Sequence, residues 1–138
     1  MNATAKCYRT GQPLNGIYFF VLNKGYNSGK PGVNPWVNCY VIYCKTEEDR
    51  NRLYYLCYAL WITGKFKQLL VGSVIEFLRI HDFKKVLDIA ECKTHACADQ
   101  LTACIEHLIA SDKKIASLNY TLLMHQRFQY ELLRALLT

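Results

Sequence analysis

Asp112-Lys113-Lys114-Ile115-Ala116-Ser117-Leu118 continues, with no Gly or Pro on the way, into Gln126-Arg127-Phe128-Gln129-Tyr130-Glu131-Leu132-Leu133-Arg134-Ala135-Leu136-Leu137-Thr138. Apolar residues fall at Cys104, Leu108, Ile115, Leu118, Leu122, Leu132 and Leu136 in an alternating 4,3 spacing, with Ser111, His125 and Gln129 at the intervening positions. A breaker-free stretch with that spacing predicts one continuous helix carrying a narrow apolar stripe, as a coiled-coil face does. A helix over residues 100–137 would be roughly 57 Å long at about 1.5 Å per residue, more than a body of this mass covers. Part of it therefore needs a partner, and Leu108, Ile115, Leu118, Leu122, Leu132 and Leu136 form the expected homodimer interface.

Upstream the punctuation changes. Five of the seven glycines and all three prolines fall by Pro35, which places turns and strands first and helices later. Ile17 to Leu22 is apolar and aromatic, and Trp36 to Cys44 is rich in Val, Ile and Tyr, so both read as strands. Thr46-Glu47-Glu48-Asp49 offers a capping hydroxyl followed by acids that oppose the positive end of a helix dipole. A helix to about Thr63 is expected, with Leu53, Leu56, Cys57, Leu60 and Trp61 toward the core and Gly64 closing it in a left-handed turn. Ser73 to Ile80 reads as a third strand, and Asp82 as the N-cap of a short helix from Phe83 to Ala90. Strands early and helices late predict an α+β fold: a small mixed domain over residues 1–93 and a long helical segment over 94–138.

Charge is distributed unevenly. The formal net charge is +6, no Asp or Glu precedes Glu47, and Lys6, Arg9, Lys24, Lys30 and Lys45 lie in that acid-free part. The loop from Asn23 to Pro35 combines Lys24, Tyr26, Asn27 and Lys30 with five glycines and prolines of flexible or turn-forming type. Such a mixture suits phosphate and base-edge contacts. Gly64-Lys65-Phe66-Lys67 forms a second basic turn. Lys24, Tyr26, Asn27, Lys30, Lys65 and Lys67 are the expected DNA-binding residues, since lysines that neutralise phosphates dominate affinity for nucleic acid. The bland alternatives are a solvated loop and a surface kept soluble by its charge.

No catalytic pattern is complete in this sequence. Gly25-Tyr26-Asn27-Ser28-Gly29-Lys30-Pro31 resembles a phosphate loop but has three residues between its glycines instead of four, and Pro31 replaces the magnesium-binding hydroxyl. Cys92, His95, Cys97, Cys104 and His107 offer soft metal donors, yet His95 and Cys97 diverge on a helix. His81, His95, His107 and His125 show no paired acid, and no Ser or Cys sits in a nucleophile elbow. No enzyme activity, cofactor or metal is expected. Seven cysteines without a CxxC pair fit reduced thiols. With neither a long apolar run nor a leader pattern, no membrane partner and a cytoplasmic location are expected.

Two stretches resemble a known family. Asp99-Gln100, Asp112, Ile115 and Leu132-Leu133-Arg134-Ala135-Leu136-Leu137-Thr138 are similar to the conserved helical region of type I restriction-modification specificity subunits. Gly72-Ser73-Val74-Ile75-Glu76-Phe77-Leu78-Arg79-Ile80-His81-Asp82-Phe83-Lys84-Lys85-Val86 looks like the end of that family's target-recognition domain. The resemblance implies a bacterial protein that reads double-stranded DNA without catalysis, alongside a DNA methyltransferase subunit. It covers about half the chain and departs in two ways. The chain has room for one recognition-like domain and one helix where the family has two of each, so a homodimer would be needed. Glu76 stands where the family often has Pro, and no Pro-rich linker precedes Asp99-Gln100. The reading of another class is a small α+β interaction or structural protein of a mobile element that self-associates through its C-terminal helix.

Overall fold

Alternation in Ile17–Leu22 sends Phe19 and Val21 to one side of a strand and Phe20 to the other, and all three are buried. Period-2 side chains buried on both sides require a sheet covered on both faces. A computed structural model of the chain describes residues 3–138 and shows how that is done. The elements are β1 (Ala3–Cys7), β2 (Ile17–Leu22), β3 (Pro31–Gly32), β4 (Cys39–Cys44), α1 (Glu47–Ile62), a 3₁₀ turn (Lys67–Leu69), α2 (Ile80–His95) and α3 (Ala98–Leu137). The fold is α+β: a four-stranded sheet followed by helices.

Sheet order is β1-β4-β2-β3, and every pairing is antiparallel. β4 is central, pairing Ala3 with Cys44 on one side and Ile17 with Cys44 on the other. Ala5, Phe19, Val21, Tyr40 and Ile42 form one face, packed with Leu53, Leu56 and Cys57 of α1 and Phe83 and Leu87 of α2. Phe20, Cys39 and Val41 form the other, covered by Tyr8, Leu14, Tyr18, Trp36 and Tyr43. Residues up to Thr102 form one compact unit and Ala103–Thr138 a second.

The Thr46 hydroxyl accepts the Asp49 amide at 3.0 Å and starts α1 where the sequence predicts. Gly64 follows with φ +74°, the left-handed residue that ends it. Three expectations are corrected. The strand expected over Ser73 to Ile80 does not form. Gly72 at φ +115° opens a tight turn whose base is closed by reciprocal Val71–Phe77 backbone hydrogen bonds of 3.0 and 2.9 Å, and Ile80 already belongs to α2. Asp82 is no N-cap: α2 begins at Ile80, and Asp82 lies in its first turn, accepting from Arg79 at 2.7 Å. The strand expected from Trp36 starts at Cys39, because the Cys39 thiol donates to the Trp36 carbonyl across a turn. β1, which no apolar run announces, adds an edge strand with Ala5 inward.

α3 is one helix of 40 residues. Leu108 is half-buried, and every residue from Ala110 onward is exposed. No helix is long and apolar enough to cross a membrane among the described residues.

Candidate nucleic-acid interface

The loop after β2 is shaped by glycines and one buried hydroxyl. Gly25 and Gly29 take φ of +89° and +97°, conformations that side chains rarely adopt. Between them Ser28 is fully buried, its hydroxyl donating to the Gly25 carbonyl at 2.6 Å. The Gly29 amide donates to the Leu22 carbonyl at 2.7 Å and the Leu22 amide to the Lys30 carbonyl at 2.9 Å, which closes the loop onto β3. The span expected as one loop to Pro35 is thus divided by β3, because Pro31 and Gly32 pair with Val21 and Phe20. Lys24, Tyr26, Asn27 and Lys30, all before the division, are exposed.

Gly29 also brings the second basic turn to the first. A Cβ at Gly29 would lie 2.2 Å from Cδ2 of Phe66, so only a bare backbone allows this ring to seat against the loop. Phe66 is fully buried and stacks on Phe83 at 5.6 Å between ring centroids, while its neighbours Lys65 and Lys67 stay in solvent. Lys67 Nζ donates to the Tyr26 hydroxyl at 2.9 Å and sits 4.1 Å from that ring's centroid. Lys30 Nζ lies 5.4 Å from the Trp61 ring at the end of α1.

A third segment fixes the other edge of the loop. The Gly25 amide donates to the Glu76 carbonyl at 2.6 Å and the Leu78 amide to the Asn23 carbonyl at 2.9 Å, so Lys24 bridges to Phe77. Tyr40 anchors that segment from beneath, its hydroxyl donating to the Leu78 carbonyl at 2.5 Å. Burial, followed by the nearby Cys7 thiol, pushes the Tyr40 phenol up to about 12, so it remains a donor across the neutral range.

Of the six sequence-predicted residues, Tyr26 and Lys67 meet directly, while Lys30 lies over the Trp61 ring instead. Lys24 sits at the Phe77 bridge. Asn27 contributes its carbonyl to the Lys30 amide at 3.1 Å, and Lys65 follows Gly64 with its amide donating to the Leu60 carbonyl at 2.9 Å. Sequence reasoning assigned Trp61 to the core. It is only partly buried and also receives Lys30. Glu76 was missed as part of this surface and brings an exposed acid to it. No local pattern marks either residue, since both arrive by long-range packing. The arrangement offers ammonium groups on rigid loops, suited to phosphate oxygens. It offers less to a stacked base, because Lys67 already occupies a face of Tyr26.

A second concavity, an open cleft of about 770 Å³, is lined by Glu48, Arg52, Glu91, Cys92 and His95 among others. Arg52 is held by Asp49 at 3.2 Å and Glu91 at 2.9 Å, so its charge is compensated. Among the described residues no three His, Cys, Asp or Glu side chains converge on a metal position.

No curated protein and no solved structure matches this chain. The family of unknown function DUF6943 matches residues 5–135, a span that takes in nearly all of the sheet, both basic loops and nearly all of α3. The chain therefore belongs to the DUF6943 family.

Proposed function

We propose that this chain is a non-catalytic DNA-binding module that contacts the phosphates of a duplex through Lys24, Lys30, Lys65 and Lys67. The observation that carries the reading is the seating of Gly29 on Phe66, which gathers cations from two loops far apart in sequence. Tyr26 acts as a positioning residue for Lys67, and Asn27 is placed on the same loop to reach a base edge or sugar. The similarity of two stretches to type I specificity subunits favours sequence reading in the service of a methyltransferase subunit, in the cytoplasm. The acid-free stretch before Glu47 favours a polyanion on independent grounds.

Fluorescence anisotropy with a labelled duplex tests this. Affinity is expected to fall steeply with salt, and each lysine lost to Ala should flatten the log–log salt slope by about 1. Lys24→Ala with Lys30→Ala binding as tightly as the parent at low salt would overturn the assignment, as would salt-independent binding. Purified protein is expected neither to cleave nor to methylate DNA with magnesium or a methyl donor. Turnover that survives removal of contaminants would refute the non-catalytic reading.

A further inference from the structure

The exposed part of α3 is apolar on more than one side. Leu136 and Leu137 are 81% and 88% exposed, Leu118 60% and Leu133 60%. A helix with that surface needs covering on more than one face. Two stripes of alternating 4,3 spacing run along it. One follows Leu118, Leu122, His125, Gln129, Leu132 and Leu136. The second follows Leu123, Gln126, Tyr130, Leu133 and Leu137. The second is the first displaced by one residue, hence turned by about 100° around the axis of a 3.6-residue helix. That is close to the right angle between the two neighbours of each helix in a square four-helix array. A two-stranded coil would cover one stripe and leave the other in water.

The first stripe is self-complementary on reversal in every layer, and the second in its central layers. An antiparallel second copy centred on Arg127 puts Leu118 opposite Leu136, Leu122 opposite Leu132 and His125 opposite Gln129. Apolar then meets apolar and polar meets polar in each of these layers. Sliding that copy by one heptad would set Leu118 against Gln129 and Leu122 against His125, burying polar groups without partners. The second stripe, reversed about Phe128, puts Leu123 opposite Leu133 and Gln126 opposite Tyr130, with the terminal Leu137 beside Asn119. The two centres fall one residue apart, an offset of about 1.5 Å along the helix, close to the common height at which the two-fold axes of a closed tetramer intersect. Arg127, Glu131 and Arg134, the Arg and Glu residues of this stretch, lie on the remaining arc with Tyr120, Met124 and Phe128. No like-charge pair opposes either contact.

We propose that four copies of this chain assemble through α3 into an antiparallel four-helix bundle, using these two stripes as its two contacts. The assembly does not depend on DNA binding. Because its contacts carry no ion pair, it persists at salt concentrations that abolish phosphate contacts.

Sedimentation equilibrium of the full chain in 0.5 M salt at tens of micromolar reads the stoichiometry. The expected mass is about 64 kDa, four chains of 16.0 kDa in dihedral symmetry. Leu122→Lys with Leu132→Lys should leave a dimer held by the second stripe. Leu123→Lys with Leu133→Lys should leave a dimer held by the first, and all four changes a monomer. Arg127→Ala should keep the tetramer. Leu122→Glu alone should split the first contact, and adding Leu132→Lys should restore it, since the introduced charges face each other only in this antiparallel register. A parent that sediments as a monomer or dimer overturns the proposal without reference to any variant. A second-stripe variant of unchanged mass, or a charge pair that fails to restore the contact, overturns it as well.

Discussion

Gly29 is where backbone chemistry and the candidate interface meet. Its φ of +97° is unfavourable for a side chain, and an added Cβ would collide with the buried Phe66 ring. Strain and overpacking each cost on the order of 1–3 kcal/mol. Gly29→Ala is therefore expected to destabilise the protein by roughly 2–4 kcal/mol in urea unfolding. It should also weaken DNA binding under conditions where the protein stays folded, because the loop carrying Lys24, Tyr26 and Lys30 is lifted off the Lys65–Lys67 turn. A variant with parental stability would remove Gly29 from its role as the joint. In the sequence Gly29 reads as one of several loop glycines. Its importance comes from Phe66, thirty-seven positions away, and only the packed structure brings the two together.

Among the elements, α1 illustrates how far local chemistry reaches. Thr46 caps the Asp49 amide, and Asp49 in turn holds Arg52, which crosses to Glu91 of α2 at 2.9 Å. Loss of the capping oxygen in Thr46→Ala is expected to cost about 1 kcal/mol, read as a lowered urea midpoint with an unchanged slope. An unchanged midpoint would show that the cap contributes nothing net. Both ends of α1 were legible because a cap and a left-handed glycine act within a few residues. The segment from Ser73 to Leu78 was not, since its β-branched and aromatic composition fits a strand. No strand partner runs alongside it. Its hydrogen bonds go instead to Val71, Gly25 and Asn23, and Val74 at the turn is 93% exposed. α2 also starts earlier than expected, because Asp82 serves the helix from its first turn by holding Arg79 and not as its cap.

At the scale of the whole molecule, burial of acidic hydrogens sets an alkaline limit on stability. Burial pushes the Cys44 thiol from its ordinary 9.0 to about 11 and the Tyr40 phenol from 10.0 to about 12, and it raises the fully buried Cys57 as well. These groups hold their protons more tightly in the folded chain than in the unfolded one. Their contribution is fully present below about pH 9 and is lost as pH rises through the folded values toward 12. Thermal midpoints should therefore be flat from pH 7 to about 8.5 and fall steadily above it. Tyr40→Phe, which keeps the ring, should lower stability at neutral pH by removing the hydrogen bond to Leu78 and make the alkaline fall shallower. A midpoint that rises between pH 9 and 11 would contradict this.

The sequence alone determined what depends on neighbours along the chain. It placed an unbroken helix over residues 100–137, which the structure begins at Ala98, the capped α1 with Gly64 behind it, β2 to the residue, and an α+β order with strands early and helices late. Short-range hydrogen bonding, φ preferences and side-chain period decide those features. Tertiary structure decided the rest: that β4 lies at the sheet centre with β1 on its far edge, that the 73–78 segment clamps a loop instead of pairing as a strand, and that Lys67 reaches Tyr26 across forty-one positions. Those outcomes follow from which apolar side chains share a core. Phe66, Leu78 and Phe83 are buried together, and the two loops and the helix that carry them are drawn to one place. No local signal encodes that choice, because the free energy of burial depends on area removed from water and not on separation along the chain.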